Sequence, residues 1–197
     1  MNGIGPALCC SVRLPDGPLL YVLNLHLRAP IAAFVPGQKS SSFVWRTVGG
    51  WAEGYYLASM KRAGQALEVR LAIDQLFDDD REVLIAVCGD LNAGENEMPT
   101  RILRGEEEDT GSGALAYRAL VVAERSVALA QRFSVLHHGR PQMLDHMLLP
   151  RQLMAWYQGI EIYNEDLGDE LVAYRNAESP PYSYHAPVVA TFVDPLE

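Results

Sequence analysis

The residues able to do chemistry stand in four short runs: Asn24 and His26 in Asn-Leu-His-Leu, Asp90 and Asn92 in Gly-Asp-Leu-Asn, Asp145 in Leu-Asp-His-Met-Leu, and His185 in Ser-Tyr-His-Ala-Pro. A carboxylate accepts hydrogen bonds and binds cations, a side-chain amide donates without carrying charge, and an imidazole exchanges its proton near neutral pH. These are the types that acid–base and metal-assisted chemistry draw on. Each run also has a plain structural reading. Asp-Leu-Asn can close its own turn, a carboxylate within an apolar strand can be tied to backbone donors, and a lone strand histidine can be a satisfied packing residue.

The elements that must position them follow from pattern. Ala7 to Leu27 reads as two strands joined at Leu14–Pro18, where Pro15, Asp16 and Gly17 supply turn chemistry. In the second strand alternation puts Leu23, Leu25 and Leu27 on one face and Asn24, His26 and Arg28 on the other. Residues Ala29 to Tyr56 lack a period and hold Pro30, Pro36, Gly37, Gly49 and Gly50 beside Phe34, Trp45, Trp51, Tyr55 and Tyr56, which predicts a long loop. Its aromatic residues either cover a substrate or pack the loop onto the body. Ser59 is the expected cap of a helix to about Phe77, with Ala63, Leu67, Leu71 and Ala66, Ile73, Phe77 facing inward and Arg62, Glu68 and Arg70 outward. Val83–Val87 is a buried strand that spills into Cys-Gly-Asp-Leu-Asn, so Asp90 and Asn92 stand at a strand end, held by a rigid element yet open to solvent.

Pro99 is expected in the first turn of a short helix through Leu103, followed by an acidic loop from Gly105 to Gly113. Phe133–Leu136 and Gln142–Leu149 bracket His-His-Gly-Arg-Pro as a second hairpin, with Asp145 inside an apolar strand. A short helix at Arg151–Tyr157 and a last strand at Val188–Val193 follow. His137 and His138 fall in or near the turn, and His146 faces opposite Asp145 by strand alternation; surface or packing roles are expected for all three.

Composition narrows the classes. A chain of 197 residues with 49% hydrophobic and 21% charged residues is ordinary for one globular domain, 1–197, and no apolar run approaches the ~18 residues of a membrane span. Cys9 and Cys10 are adjacent and Cys88 sits in a strand, which is neither a disulfide framework nor a zinc spacing. With no secretory leader pattern, a reducing cytoplasm is the expected location. A net charge of −9 and the lack of a Lys/Arg stripe disfavour a long DNA duplex as substrate.

The four runs, in this order, resemble the later motifs of the endonuclease/exonuclease/phosphatase superfamily, whose fold is that of deoxyribonuclease I. The resemblance spans nearly the whole chain. It implies an α/β (α+β) architecture, a β-sandwich of two mainly antiparallel sheets flanked by helices. In that family an N-terminal half contributes an Asn and a metal-holding Glu. Some twenty residues precede Asn-Leu-His-Leu, too few for those elements, so the chain is expected to correspond to the C-terminal portion of the fold.

The resemblance also implies chemistry. Phosphodiester hydrolysis needs a nucleophilic water, neutralisation of the phosphoryl oxygens and help for the leaving oxygen, and Mg²⁺ or Mn²⁺ can supply the last two. His185 would be the general base, Asp145 would orient it, and Asp90 would bind or orient water or the metal. Asn92 would donate to the phosphate, and His26, with Asn24 beside it, would touch a phosphate oxygen. The family's terminal Ser-Asp-His is here Ser183-Tyr184-His185, so one anionic ligand is replaced by a phenol. Three readings follow: a metal-dependent phosphodiesterase or phosphatase acting on a phosphoester, a binding module on the same scaffold, and an incomplete unit whose uncovered core face is buried in a homodimer.

Overall fold

The computed structural model describes residues 7–14, 17–170 and 183–194. Pro15 and Asp16 of the expected first turn lie outside the described residues. In chain order the elements are β1 (Ala7–Arg13), β2 (Leu19–His26), β3 (Lys39–Ser41), β4 (Val44–Trp45), α1 (Val48–Asp79), β5 (Leu84–Asp90), α2 (Met98–Arg104), α3 (Glu107–Thr110), β6 (Leu120–Val122), β7 (Val135–His137), β8 (Arg140–Gln142), β9 (Asp145–Pro150), α4 (Arg151–Met154), β10 (Tyr157–Ile162) and β11 (Val188–Phe192).

The frame is a five-stranded mixed sheet in the order β1-β2-β5-β9-β6, in which only β2 and β5 run parallel. Alternation sends Leu23, Leu25, Ile85, Val87 and Leu148 to one face, where Ala66, Val69, Ile73 and Phe77 of α1 cover them. Leu84, Ala86 and Leu149 point to the other face and meet Ile160 of the β10–β11 pair. The strands buried on both faces are therefore continuous apolar runs, as Val83–Val87 is. The architecture is the expected sandwich with helical flanks, its second sheet a two-stranded one.

Three sequence expectations need correction. The helix starts at Val48, eleven residues before Ser59, with Thr47 as its cap; the Thr47 hydroxyl accepts from Gly50 N at 2.9 Å. Gly49 and Gly50, read as loop signals, are helical here; a Cβ on Gly50 would lie 2.8 Å from Gln38 Cβ, and one on Gly54, a turn later, 2.4 Å from Ala33 O and 2.8 Å from the Trp45 ring. The apolar face is also rotated. Leu67 and Leu71 are exposed, whereas Arg62 and Arg70 are buried, since each guanidinium binds backbone carbonyls of neighbouring segments. Finally, β8 and β9 are separate strands. The hairpin is β7–β8, and Asp145 opens β9, which crosses to pair with β5 and β6.

Gly89 explains one residue of the Gly-Asp-Leu-Asn run. Its φ is +121°, and a Cβ there would sit 2.1 Å from Leu25 O, so the parallel approach of β5 to β2 needs glycine. Gly89→Ala is expected to destabilise the fold by more than the roughly 1–3 kcal/mol of a residue held in a sparsely populated backbone region. Urea titration of the purified variant checks this; an unchanged midpoint would contradict the close packing.

Candidate active site

Three strands place one row of polar side chains at their ends. His26 on β2 pairs in register with Asp90 on β5, and Asp90 pairs with Asp145 on β9. All three point to the face away from α1, because they share parity with Val22, Ala86 and Met147 of the second core. Two carboxylates directly opposite across a sheet repel each other. Burial, reinforced by the neighbouring Asp145 charge, pushes the Asp90 carboxyl up from its ordinary value.

His185 comes to this row from the segment before β11. Its Nδ1–H donates to Asp145 Oδ2 at 2.7 Å, which fixes the ring and leaves Nε2 on its far edge. That bond holds the imidazole pKa above its ordinary value, against the opposing effect of burial. One ligand atom from each of Asp90, Asp145 and His185 lies within 4.8 Å of the others. Asn92 follows Asp90 with φ +48°, a left-handed conformation that Asn tolerates. Its backbone N–H donates to Asp90 Oδ1 at 2.8 Å, and its side-chain amide donates to Asp90 Oδ2 at 2.9 Å and to Leu27 O at 3.0 Å. Asp-Leu-Asn thus closes its own turn, and the Asn92 amide also ties that turn to the end of β2 through Leu27 O. His26 Nε2 stands 3.5 Å from Asp90 Oδ2 with its ring largely in solvent.

The structure therefore brings His26, Asp90, Asn92, Asp145 and His185 together. Asn24 lies one row back, its amide facing Cys88 Sγ at 3.9 Å. Ser183 and Tyr184 precede His185, and Ser183 Oγ accepts the His185 backbone N–H at 3.0 Å. His137 faces Glu170 at 3.0 Å and His138 sits in the β7–β8 turn.

Sequence reasoning missed Ser134. Fully buried, its hydroxyl accepts the backbone N–H groups of Leu144 and Asp145 at 3.1 Å each, and its carbonyl accepts Ala186 N–H at 2.8 Å. One residue so joins the two halves of the His185–Asp145 pair. No signal in Phe-Ser-Val-Leu marks it, because both partners are distant in sequence.

No family model matches the sequence, and no curated protein matches it. Solved structures do. A 3'-5' exonuclease (NExo) from Neisseria meningitidis superposes with a TM-score of 0.51 at 14% identity, over 95% of this chain and 70% of that one. An AP endonuclease from Archaeoglobus fulgidus superposes with the same TM-score of 0.51 at 14% identity, over 88% of this chain and 61% of that one. The fold is deoxyribonuclease I-like. The chain spans only part of its neighbours' length, including 50% of a functionally unknown conserved protein from Enterococcus faecalis matched over 89% of this chain at 11% identity and a TM-score of 0.45. Within the deoxyribonuclease I-like sandwich the polar row occupies the strand ends on the side of the second sheet, and no helix among the described residues is long and apolar enough to cross a membrane.

Proposed function

We propose that the protein is a divalent-metal-dependent phosphoesterase in which a water molecule, activated by His185, attacks a phosphoester. The observation that carries this reading is the convergence of Asp90, Asp145 and His185 on one point beside the bonded His185–Asp145 pair. The names of its structural neighbours, an exonuclease and an AP endonuclease, agree with it.

The donor set fits a hard cation. Two carboxylates face each other across the sheet, and oxygen donors of this kind suit Mg²⁺ or Mn²⁺. Asp90 and Asp145 would hold the ion. When bound, it would neutralise charge on the phosphoryl oxygens and assist the leaving oxygen. The chain's own residues do the rest. Asp145 keeps the Nδ1 proton on His185 and orients the ring, so that Nε2 takes the proton from water. Asn92 holds Asp90 by two hydrogen bonds, and its amide turns to a substrate oxygen by releasing either Asp90 Oδ2 or Leu27 O. His26, open to solvent beside Asp90, meets a phosphate oxygen at the mouth of the site.

Substrates of modest size are favoured. The net charge of −9 opposes a long polyanion, whereas Lys39 stands 4.7 Å over the Trp45 ring of the β3–β4 hairpin, and on α1 Trp51 and Tyr55 stack at 5.5 Å. Small phosphoesters and short single strands are therefore the class expected. Hydrolysis of bis-p-nitrophenyl phosphate with Mg²⁺ or Mn²⁺, and its loss in EDTA, tests the reading. Silence under every metal would favour the binding module, in keeping with Tyr184 where the superfamily carries Asp.

The face of β1 and β2 turned away from α1 leaves Leu8 70% and Val12 45% exposed, and β1 is an edge strand. A second copy laid on this face would cover it. Multi-angle light scattering is expected to return twice the chain mass, and a monodisperse monomer would count against the homodimer.

A further inference from the structure

Resting on the site described above, we propose that Arg62 and His146 are positioning residues that clamp the backbone carbonyls of Asn92 and Ala93 from beneath, and so hold Asn92 against Asp90. Neither residue faces the polar row. Arg62 reaches up from α1 and donates from Nη1 to Asn92 O at 2.5 Å, with its other terminal nitrogen 3.6 Å from Glu97. His146, one residue after Asp145 but on the opposite face of β9, donates from Nε2 to Ala93 O at 2.8 Å. Two neighbouring carbonyls are thereby gripped by two different elements.

Burial sets how much these contacts matter. Arg62 is 6% and His146 2% exposed, Glu124 and Ala93 not at all. A buried ionisable side chain needs partners for all its polar atoms. His146 has them on both sides: Nδ1 bonds Glu124 Oε1, while Glu124 Oε2 accepts Met147 N–H at 3.2 Å. With a carboxylate on one ring nitrogen and a carbonyl on the other, both nitrogens carry hydrogen. Glu124 stands in the turn that follows β6, so the tie reaches from the edge of the sheet to the loop after β5.

What the clamp holds is a segment in an uncommon backbone conformation. Asn92 is in the left-handed region, which a residue with a side chain adopts less often than glycine does. Its two bonds to Asp90 are made in that conformation, and they hold the Asp90 carboxylate beside Asp145 and His185. Fixing the carbonyls at 92 and 93 fixes the peptide planes on which that aim depends. The side chains of Asp90, Asn92 and His185 act on the face of the second sheet, and Arg62, His146 and Glu124 act on the other.

The test uses the metal-free protein, so that it does not depend on turnover. The Asn92 side-chain amide is followed by ¹⁵N-resolved hydrogen exchange in wild type, Arg62→Met and His146→Gln, with circular dichroism as the control for folding. Exchange is expected to accelerate at least tenfold in each variant while the amides of the strand cores stay protected. If Arg62→Met does not fold, Arg62→Lys, which keeps a donor but loses the fork, is expected to show an intermediate acceleration. Unchanged Asn92 exchange in folded variants overturns the clamp. Should wild type also hydrolyse bis-p-nitrophenyl phosphate, a second prediction applies: Arg62→Met lowers kcat, and the loss shrinks in an Asn92→Ala background, because a residue acting through Asn92 has nothing left to act on. Full additivity there also overturns the proposal, whereas an inactive wild type tells against the phosphoesterase reading and leaves the exchange experiment to decide the clamp.

Discussion

His185→Ala is expected to reduce metal-dependent hydrolysis of bis-p-nitrophenyl phosphate by about 10²–10⁴-fold, the usual contribution of a positioned general base. The loss should fall on kcat, with KM little changed, because in the proposed mechanism Nε2 of His185 meets the attacking water and not the groups that bind the ester. Asp145→Asn is expected to act in the same direction. The 2.7 Å bond from His185 Nδ1 to Asp145 Oδ2 selects the tautomer that leaves Nε2 able to accept a proton, and an amide in place of the carboxylate can select the wrong one. A His185→Ala protein that keeps its rate would remove the imidazole from the chemistry, whatever its neighbours do.

The same bond makes a statement about pH that needs no substrate. Asp145 raises the His185 pKa, despite partial burial, so in metal-free protein the ring titrates above the ordinary imidazole value. A raised value in the folded state contributes stability that is fully present below the ordinary pKa, and that stability is lost as pH rises through the raised one. Proton NMR of the His185 ring should show the elevated midpoint, and Asp145→Asn should bring it down. An elevated midpoint that survives in Asp145→Asn would assign the shift to other groups.

How far the site was legible depended on whether its parts were local. The row His26, Asp90 and Asp145 could be foreseen because a strand has period two, so the buried Leu23, Leu25 and Leu27 commit His26 to the opposite face, and the apolar run ending at Val87 delivers Asp90 to a strand end. Likewise His146 fell opposite Asp145. Its function did not follow from parity, because its partner Glu124 comes from a turn 22 residues earlier and the carbonyl it holds from a loop 53 residues away. Ser134 was invisible for the same reason.

Residue type misled where chemistry overrides a helical wheel. Arg62 and Arg70 were assigned to solvent as charges, yet a guanidinium offers five donors and can be buried wherever carbonyls gather. Arg70 meets Leu103 O at 3.1 Å and Arg118 O at 3.2 Å, and Arg62 meets Asn92 O. The first turns of α1 were unreadable as helix because Gly49, Gly50 and Gly54 carry low helix propensity. What overrides propensity there is tertiary: Gln38 and Ala33 press against Gly50 and Gly54, and no larger residue would fit. A local rule lost to a contact that the sequence does not announce.

The second large effect concerns the metal. Mg²⁺ or Mn²⁺ is expected to stabilise the wild-type protein against heat, by about 2.7 kcal/mol at a concentration a hundred times Kd, and Asp90→Asn should abolish most of that gain. The argument is electrostatic. Asp90 and Asp145 stand opposite each other in register, and burial together with the Asp145 charge already disfavours the ionised form of Asp90. A bound divalent cation turns that repulsion into attraction, so its binding should release protons as pH falls toward the raised Asp90 pKa, and the thermal gain should shrink there. Replacing one of the two carboxylates by an amide costs a ligand outright, which should exceed the roughly 10–100-fold loss of affinity typical of an outer-shell partner. Asp90→Asn also relieves the repulsion in metal-free protein but loses one of the two hydrogen bonds that Asn92 donates to Asp90, because an amide has a single acceptor oxygen, and differential scanning calorimetry with and without Mn²⁺ separates these effects from the metal's. Tyr184→Asp runs the other way: a carboxylate beside His185 should tighten metal binding, and with it hydrolysis. If Asp90→Asn gains as much from the metal as wild type does, the ion binds elsewhere and the paired carboxylates are structural.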